Sequence, residues 1–400
     1  MAQVRSTPST RVTQETRLIR AGARDGELVK TVGPPIQKGS TVLLPNAAAL
    51  YDDDSFLTYG RAGLAAHDAL KQALSEMEGA EGVCLYPSGL AAVTGAILAV
   101  LQAGDDVLAA DNIYKPSRRF CDNVLKRYGI GVRYFDPRLP PQALLDLAGE
   151  RTRLIMMESP GSLTFEMMDL AAVAELAKAK GVLTLTDNTW GAGYLFKPLE
   201  HGVDISVQAL TKYVGGHSDV FMGSAAARDP ALVRQLEDGV HNLGWSVSAD
   251  DAYQMLRGLR TLPARLKAQG EAALRIAAWL AAQPEVAEVI HPALPGAADH
   301  ALWARDYSGA CGLFGFVLKG GSPQAADAFL DALQLFGLGF SWGGFESLAI
   351  VSDPQLGKRK FAPTYDGPLM RLHIGLEAEQ DLVADLRRGL DAFRAAPSGS

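Results

Sequence analysis

Seven short apolar runs alternate with helical stretches between Val83 and Ala226, and this alternation restricts the chain to few folds. The runs are Val83–Tyr86, Asp106–Ala110, Val132–Phe135, Leu154–Glu158, Val182–Thr186, Ile205–Leu210 and Phe221–Ala226. Ser88–Leu101 and Leu170–Lys180 lie between runs and read as helices. Ala65–Glu78 precedes the runs and places Leu70, Leu74 and Met77 at helical spacing. Near-continuous apolar strands joined by helices predict an α/β unit over residues 63–262, built on a mostly parallel seven-stranded sheet covered on both faces.

The flanks differ. Residues 1–62 carry prolines, glycines and the acidic run Asp52-Asp53-Asp54 with little periodicity. Such a segment makes a poor core and is expected to be an arm lying on another subunit; its first residues, Met1 to about Thr13, are expected to be mobile. Ser248 to about Gln283 is a long helical pattern, interrupted by Gly258 and Pro263. Beyond Pro263, a smaller α+β unit over residues 263–400 is expected. Its strands fall at Ala287–His291, Leu313–Leu318, Leu348–Val351 and Met370–Ile374, and its helices at Pro323–Leu335 and Glu379–Ala395. Leu382, Leu386, Leu390 and Phe393 form one face of the last helix. The tail Ala396–Ser400 is expected to be frayed.

Chemistry collects at the ends of the apolar runs. Ile205–Leu210 leads to Thr211-Lys212, and Gly215-Gly216 then break the pattern. A lysine held at a buried strand end is partly desolvated, which favours its neutral, nucleophilic form; a lysine leaving a strand end for solvent also fits. Val182–Thr186 ends in Asp187, which would lie at the same carboxyl edge, where open α/β sheets bind ligands. An isolated aspartate there could simply cap a turn. Val83–Tyr86 leads to Ser88-Gly89-Leu90, a strand–turn–helix start whose backbone amides suit a phosphate. An amine for an aldehyde, an acid for a pyridinium nitrogen and a phosphate cradle are together what pyridoxal 5'-phosphate requires. Glu158-Ser159-Pro160-Gly161-Ser162 ends another run at this edge and could wall the site. Arg371 sits inside an apolar strand pattern; a buried guanidinium needs a partner, either a protein acid or a ligand carboxylate.

Composition narrows the classes. The net charge is −7 with no basic block, which argues against a nucleic-acid partner. Cys84, Cys121 and Cys311 are scattered, as expected of free thiols in a reducing compartment. No leader and no run of about 18 apolar residues stands out, so a cytoplasmic chain with no membrane partner is expected. No Gly-x-Gly-x-x-Gly follows an early run, which weighs against a dinucleotide-binding dehydrogenase.

Four motifs carry a family resemblance over about Thr13 to Phe393: Tyr59-Gly60-Arg61; Ser88-Gly89-Leu90; Asp187 with Thr211-Lys212; and Met370-Arg371-Leu372-His373-Ile374-Gly375-Leu376-Glu377. The chain resembles the Cys/Met-metabolism family of pyridoxal-phosphate enzymes, of fold type I, and within it the branch that cleaves L-cystathionine at Cβ. The resemblance implies that Lys212 carries the cofactor, Asp187 serves the ring nitrogen, Tyr114 stacks on the ring and shares in catalysis, and Ser88, Gly89, Leu90 and Thr211 complete the cofactor site. It implies that Tyr59 and Arg61 reach a neighbouring subunit's cofactor phosphate. Arg371, Ser341, Trp342 and Tyr59 would line the substrate pocket for an amino-acid thioether. No metal is required. The assembly implied is a homotetramer, a dimer of dimers.

The implied reaction gives homocysteine, pyruvate and ammonia, a step of methionine biosynthesis. The alternatives are γ-lyase, γ-synthase and methionine γ-lyase activities of the same family; a non-catalytic cofactor carrier should lack Asp187 or Arg371, and both are present. Members acting at Cγ commonly show Glu-Ser-Pro-Thr-Asn-Pro where this chain has Glu158 to Ser162, and Ser-Leu-Gly where it has Ser341-Trp342-Gly343. Many also place a serine where this chain has Ala209. Phe340, where a tyrosine can occur, and Arg118-Arg119, where an acid is expected, depart from the β-acting pattern and bear on the distal substrate contacts.

Overall fold

The computed structural model describes residues 13–21, 31–52 and 55–396. Residues 1–12 of the opening segment expected to be mobile, residues 22–30, Asp53 and Asp54 of the acidic run, and the tail from Pro397 lie outside the described residues.

All seven apolar runs are strands of one sheet: β1 (Gly82–Tyr86), β2 (Asp106–Ala110), β3 (Gly131–Phe135), β4 (Thr152–Glu158), β5 (Leu183–Asp187), β6 (Ile205–Gln208) and β7 (Gly223–Ala227). Their order is β1-β7-β6-β5-β4-β2-β3. β7 is antiparallel to both its neighbours, and the other pairs are parallel. β1 and β6 therefore run the same way, and six carboxyl ends share one edge. Helices cover the sheet: Gly89–Val100 lies on β6 and β7 beside Pro230–Asn242, a helix the sequence reading did not mark. Burial on both faces explains why β4 carries Leu154-Ile155-Met156-Met157 with no polar alternation.

The helix Ala249–Ala281 corrects one expectation, because it runs unbroken through Gly258 and Pro263. A proline there withholds one backbone donor. Around it, Thr261 Oγ1 and the Arg265 guanidinium both donate to the Gly258 carbonyl, at 3.1 and 2.8 Å. Gly258 is a packing glycine rather than a break: a Cβ there would collide with the carbonyls of Val214 and Gly215. Side chains up to Leu266 join the core of the large sheet, and those from Ala273 join a second core.

That second core lies under a five-stranded sheet of β8 (Val286–Ile290), β9 (Leu313–Leu318), β10 (Gly337–Leu338), β11 (Leu348–Val351) and β12 (Leu369–His373), ordered β10-β11-β12-β9-β8. Only β10 and β11 are parallel. The helix Glu379–Ala395 packs on Pro323–Asp331 and buries Leu382, Leu386 and Leu390. Among the described residues no helix is long and apolar enough to cross a membrane.

Candidate active site

Five strand ends converge at the carboxyl edge. Ser88 follows β1 and caps the helix Gly89–Val100, its Oγ accepting from the Ala91 amide at 3.1 Å. The amides of Gly89 and Leu90 meet no acceptor among the described residues. Gly89 cannot carry a side chain, because a Cβ would strike the Ala209 methyl, and Gly223 backs the same turn through the Ser88 carbonyl. The helix start is thus pinned against the strand end that leads to Lys212, with donors left for an anion.

The Lys212 turn is braced from behind. Thr211 Oγ1 donates to the Met222 carbonyl at 3.1 Å and accepts from the Met222 amide at 2.9 Å. Gly216 has φ +69° and lies against the Arg265 guanidinium, which leaves no room for a side chain. Burial and the nearby Arg371 cation lower the Lys212 amine from 10.5 to about 8, against a smaller opposing pull from Asp187. Lys212 Nζ donates to Ser341 Oγ at 2.9 Å and lies 5.3 Å from the Trp342 ring centroid.

Asp187 ends β5. Its Oδ1 accepts from the Thr189 amide at 3.0 Å and from the Thr189 hydroxyl at 2.5 Å, and that hydroxyl accepts from the Ala209 amide at 2.9 Å. Oδ2 is left without a partner among the described residues. Burial pushes the carboxyl up against the pull of these bonds, so a cation presented to it would be strongly favoured. Thr189, two residues past the acid, was not picked out from the sequence; its signal was the Asp-x-Thr turn itself.

Tyr114 opens the helix Lys115–Asn123 and donates its amide to Glu158 Oε2 at 2.6 Å. Burial, then Asp187 and Glu158, push the Tyr114 phenol up, while Arg371 pulls it down. Glu158 faces Asp187 across the β4–β5 ladder, and burial beside that acid raises its carboxyl well above the ordinary range.

Arg371, 5% exposed, lies on β12. Its Nη2 donates to the carbonyls of Gly339 and Ser341 at 3.2 and 3.0 Å, and it forms no ion pair among the described residues. Burial lowers it to about 10. The protein-acid alternative therefore finds no partner among the described residues, and the guanidinium keeps donors that a carboxylate would fit.

Other sequence candidates lie apart. Arg118 is a buried structural cation: it pairs with Asp111 and sits 3.7 Å over the Tyr134 ring. Arg61 donates to the His241 carbonyl at 3.1 Å, and Tyr59, half exposed, bridges to Thr41. Neither makes a described contact with Lys212, Asp187 or Ser88.

The residues fit pyridoxal 5'-phosphate. An anion cradle emptied of side chains, an amine held near 8 and a carboxylate with one free oxygen meet at one sheet edge. Residues 15–391 match the sequence profile of the Cys/Met metabolism PLP-dependent enzymes. The chain belongs to this family.

Relatives agree in length as well as sequence. A putative cystathionine beta-lyase of Rhizobium johnstonii is 46% identical, covering 95% of this chain and 96% of its own. A cystathionine beta-lyase of Bordetella avium is 44% identical, covering 90% and 92%. An L-alanine/L-glutamate racemase of Wolbachia pipientis is 36% identical, covering 94% and 96%. The structure of a cystathionine gamma synthase from Xanthomonas oryzae superposes with a TM-score of 0.89 at 35% identity, covering 96% of this chain and 100% of that one. The protein is a fold type I, pyridoxal-phosphate-dependent enzyme of amino-acid metabolism.

Proposed function

We propose that the enzyme is a carbon–sulfur β-lyase that converts L-cystathionine and water to homocysteine, pyruvate and ammonia. The observation that supports this over cleavage at Cγ is Trp342 beside Lys212, where members acting at Cγ commonly carry leucine. Ser341 Oγ holds the amine at 2.9 Å and Trp342 closes the space beside it. The indole leaves the amine less room to travel than a leucine would, and taking one proton at Cα needs no travel to a second carbon.

Each residue has a role. The Gly89 and Leu90 amides, with the Ser88 turn, hold the cofactor phosphate. Asp187 keeps a proton on the ring nitrogen, and Thr189 holds Asp187 in place. Tyr114 covers the ring. Bound pyridoxal phosphate supplies the electron sink for the pair left at Cα. Arg371 takes the α-carboxylate in its fork and so fixes which substituents stand perpendicular to the ring. Lys212 takes the Cα proton, the Cβ–S bond breaks with its electron pair leaving on sulfur as a thiolate, and the protonated Lys212 can return a proton to give the thiol. Hydrolysis of the remaining three-carbon fragment yields pyruvate and ammonia.

The same reading gives Tyr59 and Arg61 to the phosphate of a neighbouring subunit, within a tetramer built from two-fold dimers. Their separation from Lys212 within one chain supports it. Cleavage at Cγ by the same residues is the second reading, favoured by the likeness to the Xanthomonas gamma synthase. Chromatography of the derivatised keto acids separates the two. Pyruvate with homocysteine is expected, and 2-oxobutyrate with cysteine would overturn the proposal while leaving the cofactor residues in place.

A further inference from the structure

His373 has no role in the chemistry above, yet it is fully buried one turn of the pleat from Arg371. Strand periodicity puts residues 371 and 373 on the same face of β12, and both reach the segment 339–344. Arg371 holds the carbonyls of Gly339 and Ser341. His373 Nε2 lies 3.0 Å from the Gly343 amide and 3.2 Å from the Gly344 carbonyl. One ring nitrogen cannot serve both, since the first needs a lone pair and the second a proton.

The surroundings decide between them. The Gly344 carbonyl already accepts from Gln269 Nε2 at 2.7 Å. The Gly343 amide has no other acceptor among the described residues. Placing the proton on Nδ1 lets Nε2 accept from Gly343. Nδ1 is buried without a partner, so one ring atom is unmatched in either tautomer, but only this tautomer also satisfies the amide. Burial lowers the imidazole to about 3, which keeps the lone pair available.

Gly343 is the point where the segment meets the catalytic turn. Its φ is +85°, and a Cβ there would lie 2.9 Å from the Lys212 carbonyl carbon and the Tyr213 amide. The Tyr213 ring stands between Trp342 and His373, with centroids 5.4 and 5.8 Å away. Fixing the Gly343 amide therefore fixes Ser341 and Trp342 relative to Lys212.

We infer that His373 is a positioning residue, which anchors the Ser341–Trp342 wall over Lys212 by accepting the Gly343 amide hydrogen. It acts on the shape of the substrate space and touches neither substrate nor cofactor. The inference holds whether the wall serves cleavage at Cβ or Cγ.

Three measurements test it. Hydrogen exchange of the peptide spanning 339–346, in cofactor-free protein, should quicken at least tenfold in His373→Leu, which has no acceptor. His373→Gln, whose amide oxygen can take the Nε2 position, should recover most of the protection. In the loaded enzyme, KM for the thioether should rise about tenfold in His373→Leu with kcat changed less than threefold, and His373→Gln should reverse this. Unchanged exchange and KM in folded His373→Leu, or equal effects of Leu and Gln, would overturn the inference. If His373→Leu does not fold, nitrogen-15 NMR of the histidine rings in wild-type protein decides. A proton on Nδ1 of His373 is expected, and one on Nε2 would refute the anchor.

Discussion

Lys212 Nζ and Ser341 Oγ meet at 2.9 Å across 129 residues of sequence. The amine comes from the edge of the large sheet, and the hydroxyl from a segment tied to β12. The Lys212 nitrogen is thus placed by both sheets together, and its proton affinity is lowered by burial and by Arg371 from the second sheet.

Lys212 should titrate near 8 in cofactor-free protein. Its ammonium is disfavoured by burial and by Arg371, so the neutral amine grows in as pH rises through 8 rather than 10.5. Competitive trace acetylation against pH, read by peptide mass, should show that midpoint. Arg371→Leu should move it upward by removing a neighbouring cation.

Asp187→Asn should bind cofactor yet lose about 10²–10³-fold in kcat, because a neutral amide cannot hold the ring proton by charge. Thr189→Val should lose less, since it loosens the carboxylate without removing it. Stopped-flow turnover with cofactor occupancy measured in parallel checks both; wild-type rates in Asp187→Asn would contradict the assigned role.

Arg371→Lys should raise KM for the amino acid about 100-fold, equivalent to ~2.7 kcal/mol. Lysine keeps the charge but not the two-pronged geometry that a carboxylate matches. Steady-state kinetics with cofactor saturating reads the effect. Thermal stability should change little or rise, because the buried guanidinium has no protein anion to lose.

Glu78 should make stability fall as pH rises. It is fully buried against Ser206 and Gln208 on β6, and burial raises its carboxyl from 4.5 to about 7. The folded state prefers the protonated form, so this contribution is complete below about 4.5 and is lost as pH rises through about 7. Its full size is ~3 kcal/mol. Glu78→Gln should remove that part of the pH dependence, seen by denaturant unfolding of both proteins at pH 5 and pH 8. Parallel curves at both pH values would contradict it.

Arg61→Ala and Lys212→Ala subunits, each inactive alone, should regain activity when mixed and reassembled. If Arg61 serves a neighbour's phosphate, a two-fold pair of unlike subunits holds one intact site. Sedimentation should show an oligomer, and no recovery on mixing would count against a shared site.

Local pattern was enough for the large sheet. A buried parallel strand is apolar on both faces wherever it sits, so Val83–Tyr86 or Leu154–Glu158 announces itself within a few residues. The placement of Lys212, Asp187 and Ser88 at one sheet edge was legible for the same reason, because each follows or ends such a run. Gly258 and Pro263 were misleading locally. Propensity predicts a break there, but the helix buries side chains in both cores, which outweighs the one bond Pro263 withholds, and Gly258 allows close packing on the Lys212 turn. Arg118 stood out in sequence only as a basic residue where an acid was expected, and the fold buries it against Asp111. Sequence spacing also could not show that Arg371 lacks a protein acid, or that His373 reaches the Gly343 amide. These facts are distances between segments far apart in the chain, set when burial selects one packing of two sheets. The sequence alone determined the elements and the reactive residue types; the tertiary structure decided which of them meet, and in which state of charge.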